Sequence, residues 1–398
     1  MRILMISDVY FPRINGVSTS TQIFRDEFRR RGHQVTLIAP HYPNCTQDDE
    51  DIIRIPSRQV LFDPEDRMMR RQDVLALLPR LRAERYDLIH IQTPFVAHHL
   101  GVKLARALHL PSIETYHTFF EEYLFHYVPF VPKAWMRALA RHFTRRQCNA
   151  VDSVVVPSSA MSEILTRYGV TTPMKIIPTG MELEKFQGCN GAAFRQRYAI
   201  PAERPTLVHI GRVAHEKNIG FLLHMLQVLR CSIPQILLII AGEGPALASL
   251  RKLTSQLGLS SHVLFVGYLS RADALLDCYC AGNAFVFASR TETQGLVLLE
   301  AMALGVPVVS TAVMGTKDIL EPRRGALVAQ EDPLRFADTV KQLLENEFLH
   351  KRLCKEAREY VKEWSAPVMA ERLLEYYRQL LHNDKARRHP PEKSAATS

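Results

Sequence analysis

The sequence predicts an α/β protein built from two tandem domains, each a parallel sheet covered by helices. Three observations carry that prediction. Short apolar runs alternate with amphipathic segments from the first residue onward. The alternation breaks once, after Gly180, and restarts near residue 206. A chain of 398 residues also exceeds one ordinary domain, and two domains of roughly 150–200 residues are the natural division.

In the first half the strand-like runs are "RILMIS", "QVTLIA", "IIRIP", "DLIHIQTP", "SIETYHT" and "DSVVVPSS". Helical patterns at 18–31 and 96–109 lie between them, as crossovers of a parallel sheet require. The polar stretch "MELEKFQGCNGAAFRQRYAIPAERP" has weak periodicity and marks the domain boundary, with room for a short helix in its middle. The second series is "TLVHIGR", "ILLIIAGEGP", "HVLFVGYLS", "AFVFAS", "VPVVST" and "GALVA". The expected limits are 1–180 and 181–365, then a helix over 366–382 and a disordered polar tail over 383–398.

Composition narrows the class. Hydrophobic content of 47% with 23% charged residues describes a soluble globular chain. The longest clean apolar run, Ile236 to Ala241, has strand length rather than membrane-spanning length. The N-terminus reaches Ser7 and Asp8 too soon for a signal-peptide core. Seven cysteines without framework spacing fit a reducing cytoplasm, and the C-x-C at Cys278 and Cys280 reads as helix packing rather than a metal site. The net charge of +9 invites a nucleic-acid partner, but no basic and aromatic alternation or zinc-finger pattern accompanies it. No nucleic-acid partner is therefore expected.

Candidate chemistry sits at strand exits. "HIGRVAHEKN" places Arg212 just after a strand and Lys217 at the next helix start. The pair is either a diphosphate clamp or an ordinary solvated loop. "AGEGP" is a tight turn at Gly242 that lets backbone approach a ligand. Tyr268 and Leu269 either flank a flat base or pack in the core. "RTETQGLVLLEAMALGVPVV" predicts a loop carrying Glu292, then a helix from Gln294 and Gly295 that carries Glu300. The amides of Gln294, Gly295 and Leu296 then lie at a helix start, where the dipole favours anions. "FPRINGVSTST" is a glycine-bearing loop around Gly16, and His117 ends a strand, either as a structural histidine or facing the site.

Together "PRINGVS", "GRVAHEKN", "AGEGP", "VGYLS" and "ETQGLVLLEAMALGVPVV" resemble the retaining nucleotide-sugar glycosyltransferases with the E-x7-E signature. The resemblance implies the GT-B fold: two Rossmann-like domains facing across a cleft, with the C-terminal helix crossing back to the first. It implies an acceptor-binding first domain and a donor-binding second one. Glu300 would bond the ribose hydroxyls and Glu292 the sugar hydroxyls. Arg212 and Lys217 would hold the diphosphate, Gly16 and the amides of 294–296 the phosphate and sugar, and Tyr268 and Leu269 the base. His117 would lie beside the donor sugar and the acceptor hydroxyl. "YHTFFEEY" and the glutamine in "ETQG" look most like the branch that glycosylates diacylglycerol.

A separate pattern points to a membrane. No acidic residue lies between Glu122 and Asp152. At about 100° per residue, Trp135, Met136, Leu139 and Phe143 share one arc, and Lys133, Arg137, Arg141 and Arg145 oppose it. This reads as an interfacial helix on an anionic membrane, against the plainer reading of a core-packed helix with a cationic face. The D-x-D at Asp49 and Asp51 lies far from every donor motif and reads as a solvated acidic loop.

The expected function is metal-independent, retaining transfer of a hexose, glucose from UDP-glucose in the leading reading, to diacylglycerol. No cofactor is called for beyond the nucleotide-sugar co-substrate. Phosphatidylinositol or a lipopolysaccharide core sugar are the alternative acceptors, and a nucleotide-sugar epimerase is the alternative of another class. The expected location is the cytoplasmic face of the membrane, and oligomeric state is left open.

Overall fold

In a computed structural model of the chain, residues 1–43, 45, 50–60, 63–117, 133–270 and 274–388 are described. The chain forms two compact units, Met1–Gly180 with Ala366–Ser398, and Met181–Ser365.

The first unit begins β1 (Arg2–Ile6), α1 (Gly16–Arg30), β2 (Gln34–Pro40), β3 (Ile52–Ile55), β4 (Ser57–Val60) and β5 (Asp63–Met69). It continues with α2 (Arg71–Ala76), α3 (Leu78–Glu84), β6 (Leu88–Ile91), α4 (Val96–Leu108) and β7 (Ser112–Thr115). After α5 (Lys133–Cys148) come β8 (Ser153–Val156), α6 (Ser159–Arg167) and β9 (Met174–Ile176). The strands form a seven-stranded sheet in the order β3-β2-β1-β6-β7-β8-β9, and its neighbouring strands pair in parallel. β1, β6, β7 and β8 are buried along almost their whole length, because helices cover both faces. α1 starts where Asn15 and Ser18 form a reciprocal capping box.

The second unit runs α7 (Gly191–Arg197), β10 (Thr206–Ile210), α8 (Ile219–Leu229), β11 (Leu237–Ala241), α9 (Leu247–Gln256) and β12 (Val263–Gly267). Then follow α10 (Leu275–Cys280), β13 (Ala284–Phe287), α11 (Leu296–Ala303), β14 (Val308–Ser310) and α12 (Thr316–Leu320). The unit closes with β15 (Ala326–Val328), α13 (Pro333–Glu345) and α14 (Glu347–Tyr360). Its six-stranded sheet has the order β12-β11-β10-β13-β14-β15. In both sheets the order reverses once, between β1 and β6 and between β10 and β13. Ligands of such folds bind beyond the carboxyl ends of the strands at that reversal. The chain then returns to the first unit as α15 (Ala366–Arg388), whose Met369, Leu373, Leu374 and Tyr377 pack with Phe24 and Phe28 of α1.

The structure departs from the sequence reading at four points. The C-terminal helix continues to Arg388, past the expected end at residue 382. Polarity alone does not end a helix whose inner turns are anchored by packing. The antiparallel pair β4 and β5 was not predicted; its second strand, "DPEDRMM", carries too many charges to show alternation. Cys280 does more than pack a helix, because it forms a disulfide with Cys189. The partners are 91 residues apart and the Cα atoms 6.4 Å apart, so only the packing of α7 on α10 brings them together.

The fourth concerns α5. Met136 is 4% exposed and Phe143 is half-buried against the first unit's core, so neither faces solvent. Trp135 and Leu139 are 77% and 61% exposed. The apolar arc is thus split between core and solvent, and Arg137, Arg141 and Arg145 are exposed as well. Lys133 bounds the helix, and its side chain lies outside the described set. Asp49 is also outside it, and Asp51 pairs with Arg29 at 3.3 Å. No helix among the described residues is long and apolar enough to cross a membrane.

One buried group gives the second unit a pH dependence. His209 on β10 is fully buried, donates from Nδ1 to the Val286 carbonyl at 3.1 Å and stacks on Phe287. Burial pushes its pKa down from 6.5 to about 4. Between those values the unfolded chain takes up a proton that the folded unit does not, so stability falls as pH falls. Urea unfolding at pH 7 and pH 5 should show a loss on the order of 2 kcal/mol from this site, and His209→Phe should lose that increment.

Candidate active site

In the second unit, β10 exits into Gly211 and Arg212, and a single 3-10 turn over His215–Lys217 precedes α8. β13 exits into the loop bearing Glu292, and α11 follows. These loops leave adjacent strands on either side of the reversal, so their side chains can meet. Lys217 Nζ donates to Glu292 Oε1 at 2.5 Å, with both side chains about four-fifths buried. Asn218 donates to Glu331 Oε1 at 3.0 Å, and Arg290 Nε reaches the same oxygen at 2.6 Å, tying the loops a second time.

Glu292 precedes α11 and Glu300 lies one turn inside it, so no common helix face is involved. Gly295 is the N-cap residue, with φ at +94°, and no side chain caps this helix start. The first-turn amides of α11 therefore meet no capping oxygen from Gly295, and a helix start of this kind favours anions. Gln294 and Glu300 are buried, at 6% and 4% exposure. Arg212 is exposed and makes no ion pair among the described residues. Gly242 follows β11 with φ at +134°, and an added Cβ would lie 1.9 Å from the Gly211 carbonyl oxygen, so only glycine fits. Tyr268 is 73% exposed after β12, which excludes the core-packing reading for its ring; Leu269 packs against the core.

The first unit brings other groups to its own reversal point. Asp8 follows β1 and accepts from the Ala97 amide and from Thr93 Oγ1, each at 2.9 Å. Burial raises its pKa to about 7. Gln92 and Thr93 follow β6, and His117 follows β7. His117 Nε2 lies 3.3 Å from Gln92 Oε1, and burial lowers its pKa to about 4, so the ring is neutral at neutral pH. His90 is buried inside this unit: Tyr377 Oη meets its Nδ1 and Thr115 Oγ1 its Nε2. Gly16 opens α1, and an added Cβ there would meet open space.

Several residues escaped the sequence reading. Asp8, Gln92 and Thr93 stand at strand ends, and their position just past "LMIS" and "LIHI" was the available signal. Tyr279 lies within α10 and donates to Glu300 Oε2 at 2.8 Å, a contact that no sequence pattern announces. Gly315 was missed too: it donates its amide to the Glu292 carbonyl at 2.8 Å.

Known proteins match this architecture. The family described as Glycosyl transferases group 1 matches residues 191–364, and Glycosyltransferase Family 4 matches residues 14–185. An alpha-monoglucosyldiacylglycerol synthase of Streptococcus pneumoniae is 32% identical over 318 residues, covering 78% of this chain and 71% of the relative. A GDP-mannose-dependent alpha-(1-6)-phosphatidylinositol monomannoside mannosyltransferase of Mycobacterium tuberculosis is 27% identical, covering 95% of this chain and 98% of the relative. HepE from Anabaena, solved in complex with UDP, superposes with a TM-score of 0.73 at 15% identity over 95% of this chain and all of its own, which speaks to fold alone. Two Rossmann-like parallel-sheet units with these matches define a GT-B glycosyltransferase. The chain belongs to the group 1 glycosyltransferases, with a diacylglycerol glucosyltransferase among its relatives.

Gly315 offers a test of the loop packing. An added Cβ would fall 2.1 Å from the Thr293 carbonyl oxygen, and backbone cannot yield there without moving Glu292. Gly315→Ala should cost about 1–3 kcal/mol in urea unfolding and reduce sugar transfer more than its stability loss explains.

Proposed function

We propose that the protein transfers glucose from UDP-glucose to diacylglycerol with retention of configuration and without a metal ion. The reading is carried by the convergence of Lys217, Glu292 and the α11 start at one strand reversal. Glucose and the diacylglycerol acceptor are supported by the relative named an alpha-monoglucosyldiacylglycerol synthase. Arg212 and Lys217 hold the diphosphate, Glu292 the sugar hydroxyls, Glu300 the ribose, and Tyr268 with Leu269 the base. Backbone at Gly16 and at Gln294, Gly295 and Leu296 approaches the phosphates and sugar.

Breaking the bond from the anomeric carbon to the diphosphate oxygen leaves an oxocarbenium-like carbon and a diphosphate of growing negative charge. Fixed cations and amides stabilise that leaving group more in the transition state than in the ground state. The acceptor oxygen bonds to the anomeric carbon as its proton passes to the leaving phosphate. Neutral His117 suits a hydrogen bond to an uncharged hydroxyl on the acceptor side.

A second reading, mannose transfer to phosphatidylinositol or its monomannoside, draws on the mannosyltransferase relative, named for the monomannoside, that spans nearly the whole chain. Thin-layer and mass analysis of lipids formed from diacylglycerol, phosphatidylinositol or phosphatidylinositol monomannoside, each with UDP-glucose or GDP-mannose, separates the two. Product only with a phosphatidylinositol acceptor and GDP-mannose sinks the first reading. Glu292→Ala and Lys217→Ala should each lower turnover at least ~100-fold, and near-wild-type rates would remove them from the mechanism.

The membrane is the proposed partner surface, met from the cytoplasmic side. The exposure of Trp135 and Leu139 and of Arg137, Arg141 and Arg145 on the same helix supports this reading. Each basic residue near an anionic surface contributes on the order of 1 kcal/mol, screened by salt. The full chain should co-sediment with phosphatidylglycerol vesicles at low salt, and Trp135→Ala with Leu139→Ala should abolish it. Equal sedimentation of wild type and variant contradicts this surface.

A further inference from the structure

We propose that Tyr279 is a positioning residue for Glu300, holding the carboxylate in the orientation that reads the nucleotide ribose. The proposal rests on the donor-site reading above and adds a residue to it. Tyr279 is fully buried on α10, and its hydroxyl donates to Glu300 Oε2 at 2.8 Å. Its ring packs on Phe285 of β13, with centroids 5.4 Å apart. Phenylalanine would fill that space as well. A hydroxyl taken out of water costs free energy unless it is bonded, so its presence here calls for a polar partner, and Glu300 is one.

The backbone that carries Tyr279 is held from the other side. Cys280, the next residue, is cross-linked to Cys189. Asp277 Oδ1 accepts from the Asn190 amide at 2.5 Å, and Arg195 Nε donates to the Ala281 carbonyl at 3.0 Å. An added Cβ on Gly191 would lie 2.2 Å from the Cys280 carbonyl oxygen, so α7 seats directly on the end of α10. The phenol is therefore fixed at both ends, by the ring and by the backbone. A carboxylate bonded to a fixed donor loses the rotamers that point away from a ligand, and it meets the ribose pre-oriented. The ribose is common to uridine and guanosine diphosphates, so the role does not depend on which base is read.

Calorimetric titration of the full chain with UDP and with 2′-deoxy-UDP tests this. Tyr279→Phe should weaken UDP about tenfold, the worth of one hydrogen bond to a charged group. It should also shrink the preference for UDP over 2′-deoxy-UDP, which a merely structural role would not touch. In a Glu300→Ala background the same substitution should change UDP affinity by less than about twofold, because its partner is gone. UDP affinity within about twofold of wild type for Tyr279→Phe alone, or an equal loss in both backgrounds, overturns the proposal. Unchanged UDP affinity in Glu300→Ala alone overturns the donor-site reading itself, and the positioning role falls with it.

Discussion

The ion pair between Lys217 and Glu292 is the contact on which the rest of the second unit's site depends. It spans 75 residues of sequence and joins the exit of β10 to the exit of β13. The first loop carries Lys217 on a single 3-10 turn, and the second carries Glu292 on irregular backbone. With both groups about four-fifths buried, each charge would be costly if its partner were absent. The pair sets the loops against each other, and Asn218, Glu331 and Arg290 repeat the tie. A site assembled this way holds its cation and carboxylate close together before any ligand arrives.

That arrangement explains the eight-residue offset between the two glutamates. On one helix they would diverge by roughly 80°. Here Glu292 is in loop and Glu300 in helix, and Gly295 between them adopts a left-handed conformation that turns one into the other. The two carboxylates then stand on different backbone, as the proposed roles at two groups of one elongated ligand require. Their spacing is set by the turn, and the helical repeat has no part in it.

Much of this was legible because parallel α/β units write themselves in local pattern. β10 and β11 are buried at every residue, so β11 reads as an unbroken apolar run and β10 as one broken only by Thr206 and His209, and the polar residues that follow them stand at the sheet's carboxyl edge. Arg212, Lys217, Glu292 and His117 could be read from that position. Contacts between elements could not. Tyr279 sits in "LLDCYC", where nothing local distinguishes a tyrosine that fills a core from one that serves a carboxylate. Cys189 and Cys280 are joined only by the seating of α7 on α10. The apolar arc of α5 misled for a related reason: periodicity reports which residues are apolar, and two different surroundings can share one arc. Met136 met the core and Trp135 met solvent.

The two units differ in the electrostatics of their strand ends, and the difference suits the proposed chemistry. The second unit's site gathers formal charge, as a diphosphate leaving group demands. The first unit's groups are held close to neutrality: burial lowers His117 to about 4, lowers His90 to about 3 and raises Asp8 to about 7. Asp8 is also committed, since Thr93 and the Ala97 amide each occupy one of its oxygens. A carboxylate tied in this way is a poor nucleophile toward an anomeric carbon. The first unit thus offers hydrogen-bonding surface to an uncharged hydroxyl and no free carboxylate among these groups. Within the proposed reaction, that favours a route in which the leaving diphosphate accepts the acceptor's proton itself.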